Sequence, residues 1–414
     1  MILTTTDKLL LSGLLPNTAD SLRALLDESH PAPDWEAVIR RAEMHGIAAL
    51  LRFNLAGAGL LDAMPLHPRQ ALYIQAQLQA ARHLALVSEA RRLIRALNAA
   101  GVTALPLKGA ALMLGGYYPQ AGLRAAADID LLISPERLIE AERIAHECGY
   151  LVKKYPDAEP GTTLLPPRAE HRLPAELNHA EARSGPGGLI LELHRRAFHY
   201  ARGARDFGFA EMTARAVTQP DEKGEPLLLP APEDLCLHLV HHTLVDLRST
   251  HLILRTVADL HFITQRVPGV LRRLKEQAAA MGLTEAAQSA IDLLRMIQQG
   301  DLTEAGREGG MAALLEAALQ QSPAALAAAA TVFEHFDVQQ SLAGAVRSMA
   351  AVAFTSKEHL VRDYGTQPTG PVFLHYPRRL FDVMRKFNWK SLHPATLRRL
   401  IRLRRIGRPQ SAGK

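Results

Sequence analysis

The chain has 414 residues, of which 48% are hydrophobic and 22% are charged, so it has enough apolar side chains to bury a core. This composition excludes an intrinsically disordered protein, because burying these side chains can offset the entropy lost on folding. The two cysteines, Cys148 and Cys236, are too few for a disulfide framework or a four-thiolate zinc site. No run of about 20 apolar residues could cross a membrane, and the start does not have the pattern of a secretory leader. We therefore expect a cytoplasmic protein.

The first hundred residues are predicted to be helical. Asp34 is a typical helix N-cap, and apolar residues recur at helical spacing after it. A second, long helix is predicted over residues 70–99, and Gly101 is expected to end it, because glycine readily follows the last turn of a helix. These helices form the expected N-terminal region, residues 1–100.

Strands and helices alternate in the next hundred residues, and helices return after Pro232. Strands are predicted at 102–107, 129–133 and 189–194, with helices at 110–118 and 135–149. This order predicts an α/β or α+β core over residues 101–200. A helical C-terminal domain is expected over residues 201–370, with helices near 232–240, 255–264, 271–281, 285–299, 311–320 and 324–336.

The net charge of +6 is concentrated in a basic C-terminal tail, residues 371–414. This tail carries +11, which leaves −5 for the residues before it. Leu397, Leu400 and Ile401 lie among several arginines, a pattern that favours a basic helix able to contact RNA or an anionic membrane surface. A solvated tail without a partner is the alternative interpretation.

Two carboxylates, Asp128 and Asp130, stand at the start of the predicted central strand. Residues two apart in a strand point to the same face, so their charges should lie close together and bind paired divalent cations, as in phosphoryl-transfer enzymes. Glu192 begins a similar alternation with His194 on the later strand and could supply a third carboxylate. An ion pair between Glu192 and Arg195 at the surface is the alternative.

Lys108 and Gly109 stand where a strand is predicted to turn into a helix. A glycine there allows close approach of a phosphate, and the lysine and the helix N-terminus add positive potential. Lys108 could instead extend into solvent. Arg124 could clamp a phosphate through two hydrogen bonds or hold its own loop by bonding Asp128.

These motifs, in this order, resemble the nucleotidyltransferase superfamily that includes polymerase β, and more closely its bacterial uncharacterised nucleotidyltransferase family. The resemblance covers residues 34–265 and implies a minimal mixed sheet embedded between helical regions. The residues that carry it are Lys108-Gly109, Tyr117-Tyr118-Pro119, Arg124, Asp128-Ile129-Asp130, Gly149-Tyr150, Glu192-Leu193-His194 and Pro232-Glu233-Asp234, with Ala42-Glu43-Met44-His45-Gly46 upstream and His238, His241 and Asp259 downstream.

The resemblance implies transfer of a nucleoside monophosphate from an NTP, with ATP as the expected donor, to an unidentified acceptor. Asp128, Asp130 and Glu192 would hold Mg²⁺ or Mn²⁺, Glu192 would also act as the general base, and Lys108, Gly109 and Arg124 would bind phosphate. His194 would orient a carboxylate or simply pack in the core. The chain departs from the superfamily in one place: Ala110 follows Gly109 instead of a second glycine or a serine, and Asp128 comes nineteen positions after Gly109.

Two other classes of function compete with this hypothesis. His238, His241 and His242, followed by Asp246, His251, Asp259 and His261, could form a zinc or iron site on a helical domain, as in metal-dependent phosphohydrolases. Ordinary core and surface histidines are the alternative for this cluster. A catalytically silent binding scaffold with the same fold is the third class.

Overall fold

The structure, a computed structural model, describes residues 3–28, 33–152, 180, 182–198, 208–245, 252–300, 302, 309–319 and 406. Helices make up the N-terminal part of this range. Asp34 caps its helix as predicted, because its side chain accepts a hydrogen bond from the backbone N–H of Ala37 at 3.0 Å. The helices are α1 (Thr5–Ser12), α2 (Ala19–Glu28), α3 (Trp35–Met44), α4 (Ala48–Gly57) and α5 (Leu66–Ala99).

In the central part, the described residues form a five-stranded mixed sheet with helices beside it. The three strands predicted from the sequence are present, whereas two short strands between Leu151 and Ser184 were not predicted, because two-residue strands leave no periodicity to read. The first helix begins earlier than predicted, at Lys108. In chain order the elements are β1 (Ala104–Pro106), α6 (Lys108–Leu114), β2 (Asp128–Ile133), α7 (Leu138–Glu147), β3 (Leu151–Val152), β4 (Arg183–Ser184) and β5 (Ile190–His194).

The described residues of the C-terminal part are helical apart from one hairpin, which the sequence pattern did not indicate. Among the described residues it comprises α8 (Phe209–Arg215), β6 (Val217–Pro220), β7 (Pro226–Leu229), α9 (Pro232–Val245), α10 (Ile253–Arg266), α11 (Val270–Ala280), α12 (Thr284–Gln299) and α13 (Gly310–Ala318). The predicted helix at 324–336 lies outside the described residues, as does the basic tail except for Ile406, which is buried in the helical core.

The sheet has the order β1-β2-β5-β4-β3, and β2 and β5 are its parallel pair. β2 separates two apolar clusters. Ile129, Leu131 and Ile133 belong to the cluster that includes α7, whereas Leu132 faces the larger cluster formed with the helical regions. Burial on both faces is typical of parallel strands. The fold is therefore α+β, with a small mixed sheet packed among helices.

None of the described helices is both long enough and apolar enough to span a membrane.

Candidate active site

The pairing of β2 with β5 brings the predicted carboxylates together. Asp130 lies opposite Glu192, and Leu132 lies opposite His194. Because residues two apart share a face of a strand, Asp130, Glu192 and His194 all project from the face opposite Ile129 and Leu191. The two-residue alternation in the sequence therefore correctly predicted which face of the sheet carries the polar groups.

Asp130 is fully buried and lies at the centre of the cluster. Its Oδ1 accepts hydrogen bonds from Lys108 Nζ at 2.8 Å and from His194 Nε2 at 2.7 Å. Burial by itself would raise the pKa of Asp130, but Lys108 and His194 outweigh burial and hold this pKa well below its usual range. Its second oxygen, Oδ2, is buried and has no hydrogen-bond partner among the described residues.

Glu192 and His194 complete a group of three potential metal ligands. Glu192 Oε2 lies 3.5 Å from His194 Nε2 and 4.0 Å from Lys108 Nζ. The hydrogen bond from His194 lowers the pKa of Glu192, and burial only partly opposes it. Burial disfavours the charged form of His194, yet the hydrogen bonds to Asp130 and Glu192 raise its pKa overall. Ligand atoms of Asp130, Glu192 and His194 all lie within 4.8 Å of one another.

Asp128 lies beside this group but outside it. It is half-buried at the start of β2, and the negative charge of Asp130 is the main reason that its pKa is raised, with burial adding to the effect. Among the described residues, the group of three possible metal ligands consists of Asp130, Glu192 and His194. The sequence predicted Asp128 as the third ligand instead of His194.

Lys108 occupies a strained position at the junction of β1 and α6. Its φ is +46°, and it is the single non-glycine residue with a positive φ in the described ranges. This region costs an ordinary L-residue about 1–2 kcal/mol, and such strain is typical of functional sites. Burial opposes protonation of Lys108, but Asp130, Asp128 and Glu192 together raise its pKa. The ammonium group is therefore charged, and it points into the carboxylate cluster rather than into solvent.

Gly109 is packed closely by the loop that leads into β2. A Cβ atom at this position would lie 2.8 Å from Arg124 Nη1 and 2.9 Å from the Cβ of Ala126. The space above the glycine is thus occupied by protein atoms. A contact from the Gly109 backbone to phosphate stays a prediction.

Arg124 is buried and binds Asp259 of α10. Its Nε and Nη2 donate to the two Asp259 oxygens at 3.2 Å and 3.1 Å, and Tyr118 Oη donates to Oδ1 at 2.6 Å. Its Nη1 donates to the carbonyl of Ala125 at 2.7 Å. The sequence offered Asp128 as the structural partner of Arg124, but the partner is Asp259. Arg124 therefore ties the loop before β2 to the helical C-terminal part.

Arg255, also on α10, contacts the same loop and was missed by the sequence reasoning. Its Nη1 donates to the carbonyl of Ala125 at 3.2 Å. The sequence does contain a signal for it: Arg255 lies in the first turn of α10, which has no acidic residue. The helix dipole disfavours a cation at that end of a helix.

The histidines that suggested a helical metal site do not form one in the described part of the chain. His238 and His241 are buried on α9, and both pack edge-on against Phe198. Asp259 is bound by Arg124, and His261 Nδ1 lies 3.1 Å from Gln298 Nε2. Asp246 and His251 lie outside the described residues. No group of three metal ligands found in the described residues includes these histidines.

His238 has an unusual environment of its own. Its side chain is almost fully buried, and neither ring nitrogen has a hydrogen-bond partner within the part of the chain that the structure describes. Burial first, and then the positive charges of Lys108, His194 and His241, hold its pKa well below the ordinary value. His238 is therefore a neutral imidazole beside the carboxylate cluster.

The α+β core thus carries two carboxylates side by side on adjacent parallel strands, with a lysine at the start of a neighbouring helix. The chain belongs to the family described as "Uncharacterised nucleotidyltransferase", which it matches over residues 31–299. Comparison with curated proteins and with solved structures gives no match.

Proposed function

We propose that this protein is a metal-dependent nucleotidyltransferase that transfers a nucleoside monophosphate from an NTP to an acceptor and releases pyrophosphate. The observation that carries this proposal is the position of Asp130 opposite Glu192 on two parallel strands, with the Lys108 ammonium group 2.8 Å from Asp130 Oδ1. Family membership supports the same reaction class. Within the superfamily, the polymerase-β-like sheet is the fold that this proposal implies.

The residues of the cluster fit a divalent cation. Asp130 Oδ2 is buried, and no described residue donates a hydrogen bond to it. A buried carboxylate oxygen without a partner is costly unless a cation or donor meets it. Carboxylate oxygens suit Mg²⁺ or Mn²⁺, and an imidazole ligand favours Mn²⁺ over Mg²⁺. Asp130 and Glu192 would hold the ion, with Asp128 or His194 as the further ligand. A bound cation would neutralise charge on the reacting phosphate.

Lys108 would neutralise phosphate charge, together with the N-terminus of α6 and the Gly109 backbone. Glu192 suits the metal-holding role better than the general-base role, because its hydrogen bond with His194 lowers its pKa and so weakens it as a base. Arg124 suits a structural role, since Asp259 already binds its guanidinium.

The experiment is incubation of the purified protein with labelled ATP or other NTPs, Mg²⁺ or Mn²⁺, and a cell extract that supplies acceptors. We expect metal-dependent labelling that falls about 100-fold or more in Asp130→Asn, on the scale of removing one electrostatic contact from an active site. Asp128→Asn and Glu192→Gln should also reduce it. Glu136→Gln, on the exposed turn just past β2, is the matched control. Labelling that Asp130→Asn leaves intact would contradict the proposal.

A catalytically silent scaffold is the second candidate, and one observation favours it. Lys108 and His194 both donate to Asp130 Oδ1, so the protein's own cations balance much of the carboxylate charge. In a scaffold, the carboxylate variants would change stability alone, with no nucleotide bound by the wild type.

The basic tail is proposed to contact RNA or an anionic membrane surface, and the protein is proposed to be cytoplasmic. Because Ile406 is buried in the core, deleting the tail would also remove core packing. Replacing Arg398, Arg399 and Arg402 by Gln is the cleaner test. Salt-sensitive binding of RNA or anionic vesicles should then be lost, and unchanged binding would exclude the tail.

A further inference from the structure

Arg255 carries a charge that no carboxylate of the described residues neutralises directly. It is half-buried in the first turn of α10. In the described part of the chain its one hydrogen bond is to the Ala125 carbonyl, at 3.2 Å, and no Asp or Glu oxygen lies within ion-pairing distance. A partly desolvated guanidinium without a counter-ion is energetically costly. Its presence here indicates a site that favours a bound anion.

Asp259, a candidate counter-ion for Arg255, already binds another arginine. Asp259 lies one helical turn along α10, but Arg124 binds both of its oxygens and Tyr118 donates to Oδ1 as well. Arg124 and Asp259 therefore neutralise each other. The charge of Arg255 is left over.

Two arginines converge on a single carbonyl oxygen in this region. Arg124 Nη1 and Arg255 Nη1 both donate to the Ala125 oxygen, at 2.7 Å and 3.2 Å. Burial and the neighbouring charge of Arg124 lower the pKa of Arg255 to about 10, so the guanidinium is still protonated at neutral pH. An anion placed beside Arg255 would offset both the cost of burying its charge and the repulsion from Arg124.

Arg255 contacts the loop that leads into the carboxylate cluster. Ala125 precedes Asp128 by three residues, and β2 then carries Asp130 into the cluster. The same Nη1 also lies close to Gly46, in the turn after α3. A Cβ at Gly46 would lie 3.3 Å from Arg255 Nη1, and its φ of +67° favours glycine. The His45-Gly46 segment of the N-terminal region thus helps to position this arginine.

We propose that Arg255 binds the phosphate chain of the nucleotide, an inference that rests on the proposed nucleotidyltransferase function. Guanidinium groups recognise phosphate through parallel hydrogen bonds. Arg124 is not free for this role, because Asp259 binds its guanidinium. Arg255 supplies a cation from the helical region instead.

Calorimetric titration with Mg-ATP and with pyrophosphate tests this on the full-length protein. Arg255→Gln removes the charge, Arg255→Lys keeps it without the planar group, and Arg272→Gln, at an exposed arginine paired with Glu276 on α11, is the control. We expect Arg255→Gln to weaken both ligands about 10- to 100-fold, the range for losing a hydrogen bond to a charged group. Arg255→Lys should recover part of the affinity, and Arg272→Gln should match the wild type.

Thermal unfolding of the same variants separates binding from folding. Arg255→Gln removes an unneutralised charge, so its melting temperature should equal or exceed that of the wild type. Wild-type affinity in Arg255→Gln would overturn this inference, and intact nucleotide transfer in that variant would leave the proposed function standing. If Arg255→Gln binds pyrophosphate more weakly than the wild type does, and the wild type transfers no nucleotide, the inference stands and the proposed function fails. A wild type that binds neither ligand would overturn both.

Discussion

Lys108 and Asp130 form an ion pair of 2.8 Å between the first residue of α6 and the buried centre of β2. The backbone of the lysine adopts a positive φ at this junction. The carboxylate is fully buried, and Lys108 and His194 share one of its oxygens. In this contact a lysine with a strained backbone neutralises a buried carboxylate that is also a candidate metal ligand.

Replacing Lys108 should separate the energy of the ion pair from that of the strained backbone. Lys108→Ala removes one of the two donors that the described residues give to Asp130, and we expect a loss of about 3 kcal/mol or more in the free energy of unfolding. Lys108→Gly loses the same contact but relieves the positive φ. It should be more stable than Lys108→Ala by about 1 kcal/mol. Chemical denaturation measures both, and equal stabilities would contradict the strain argument.

Arg124→Gln tests the structural role of the buried pair with Asp259. Asp259 is fully buried, and of the described side chains it would keep only Tyr118 as a donor. We therefore expect a loss of about 3 kcal/mol or more in unfolding free energy. The double variant with Asp259→Asn should recover part of this loss, since it removes the stranded charge. Strictly additive effects of the two changes would argue against a coupled pair.

Gly109→Ala should destabilise the protein through crowding. Its Cβ would lie 2.8 Å from Arg124 Nη1 and 2.9 Å from Ala126 Cβ, and overpacking of this kind costs about 1–3 kcal/mol. The control is Gly57→Ala at the end of α4, where a Cβ meets no atom within 4 Å. There the alanine should be neutral or stabilising. Two variants of equal melting temperature would show that the loop above Gly109 moves aside easily.

His238 should make the protein less stable in mild acid. The pKa of this imidazole lies well below 6.5 in the folded protein, whereas the unfolded chain has the ordinary value. As pH falls below about 6.5, the unfolded state takes up a proton that the folded state resists, and stability falls with it. The groups whose charges act on the ring are Lys108, Asp130, His194 and His241.

His238→Phe therefore has a defined signature in denaturation curves measured between about pH 7 and pH 5. The loss of stability on acidification should become smaller, and stability at pH 7 should stay level or rise by about 1 kcal/mol, because two buried unpartnered nitrogens are removed. His67→Gln, at an exposed histidine, should leave the profile unchanged. An unaltered slope in His238→Phe would show that other groups cause any acid lability.

Sequence patterns located the polar face of the sheet because strand geometry is local. The two-residue alternation in Asp128-Ile129-Asp130 and in Glu192-Leu193-His194 follows directly from the pleat of a strand. The N-cap at Asp34 and most of the helices follow from equally local rules. The sequence did not predict the two-residue strands β3 and β4 or the β6–β7 hairpin, because such short or exposed segments carry too few periodic positions.

Which polar groups meet was decided by tertiary packing. Arg124 pairs with Asp259, 135 positions away, and Arg255 reaches the loop before β2 from the same helix, so no spacing in the sequence relates them. The register that sets Asp130 opposite Glu192, with His194 on the same oxygen as Lys108, likewise depends on how two distant strands pair. The sequence by itself determined that an α+β core carries carboxylates on one strand face and a lysine before a helix. Only the tertiary structure decided which cations neutralise those carboxylates and which arginine is left to receive an anion, because charge pairing in a buried site depends on distances between elements far apart in the chain.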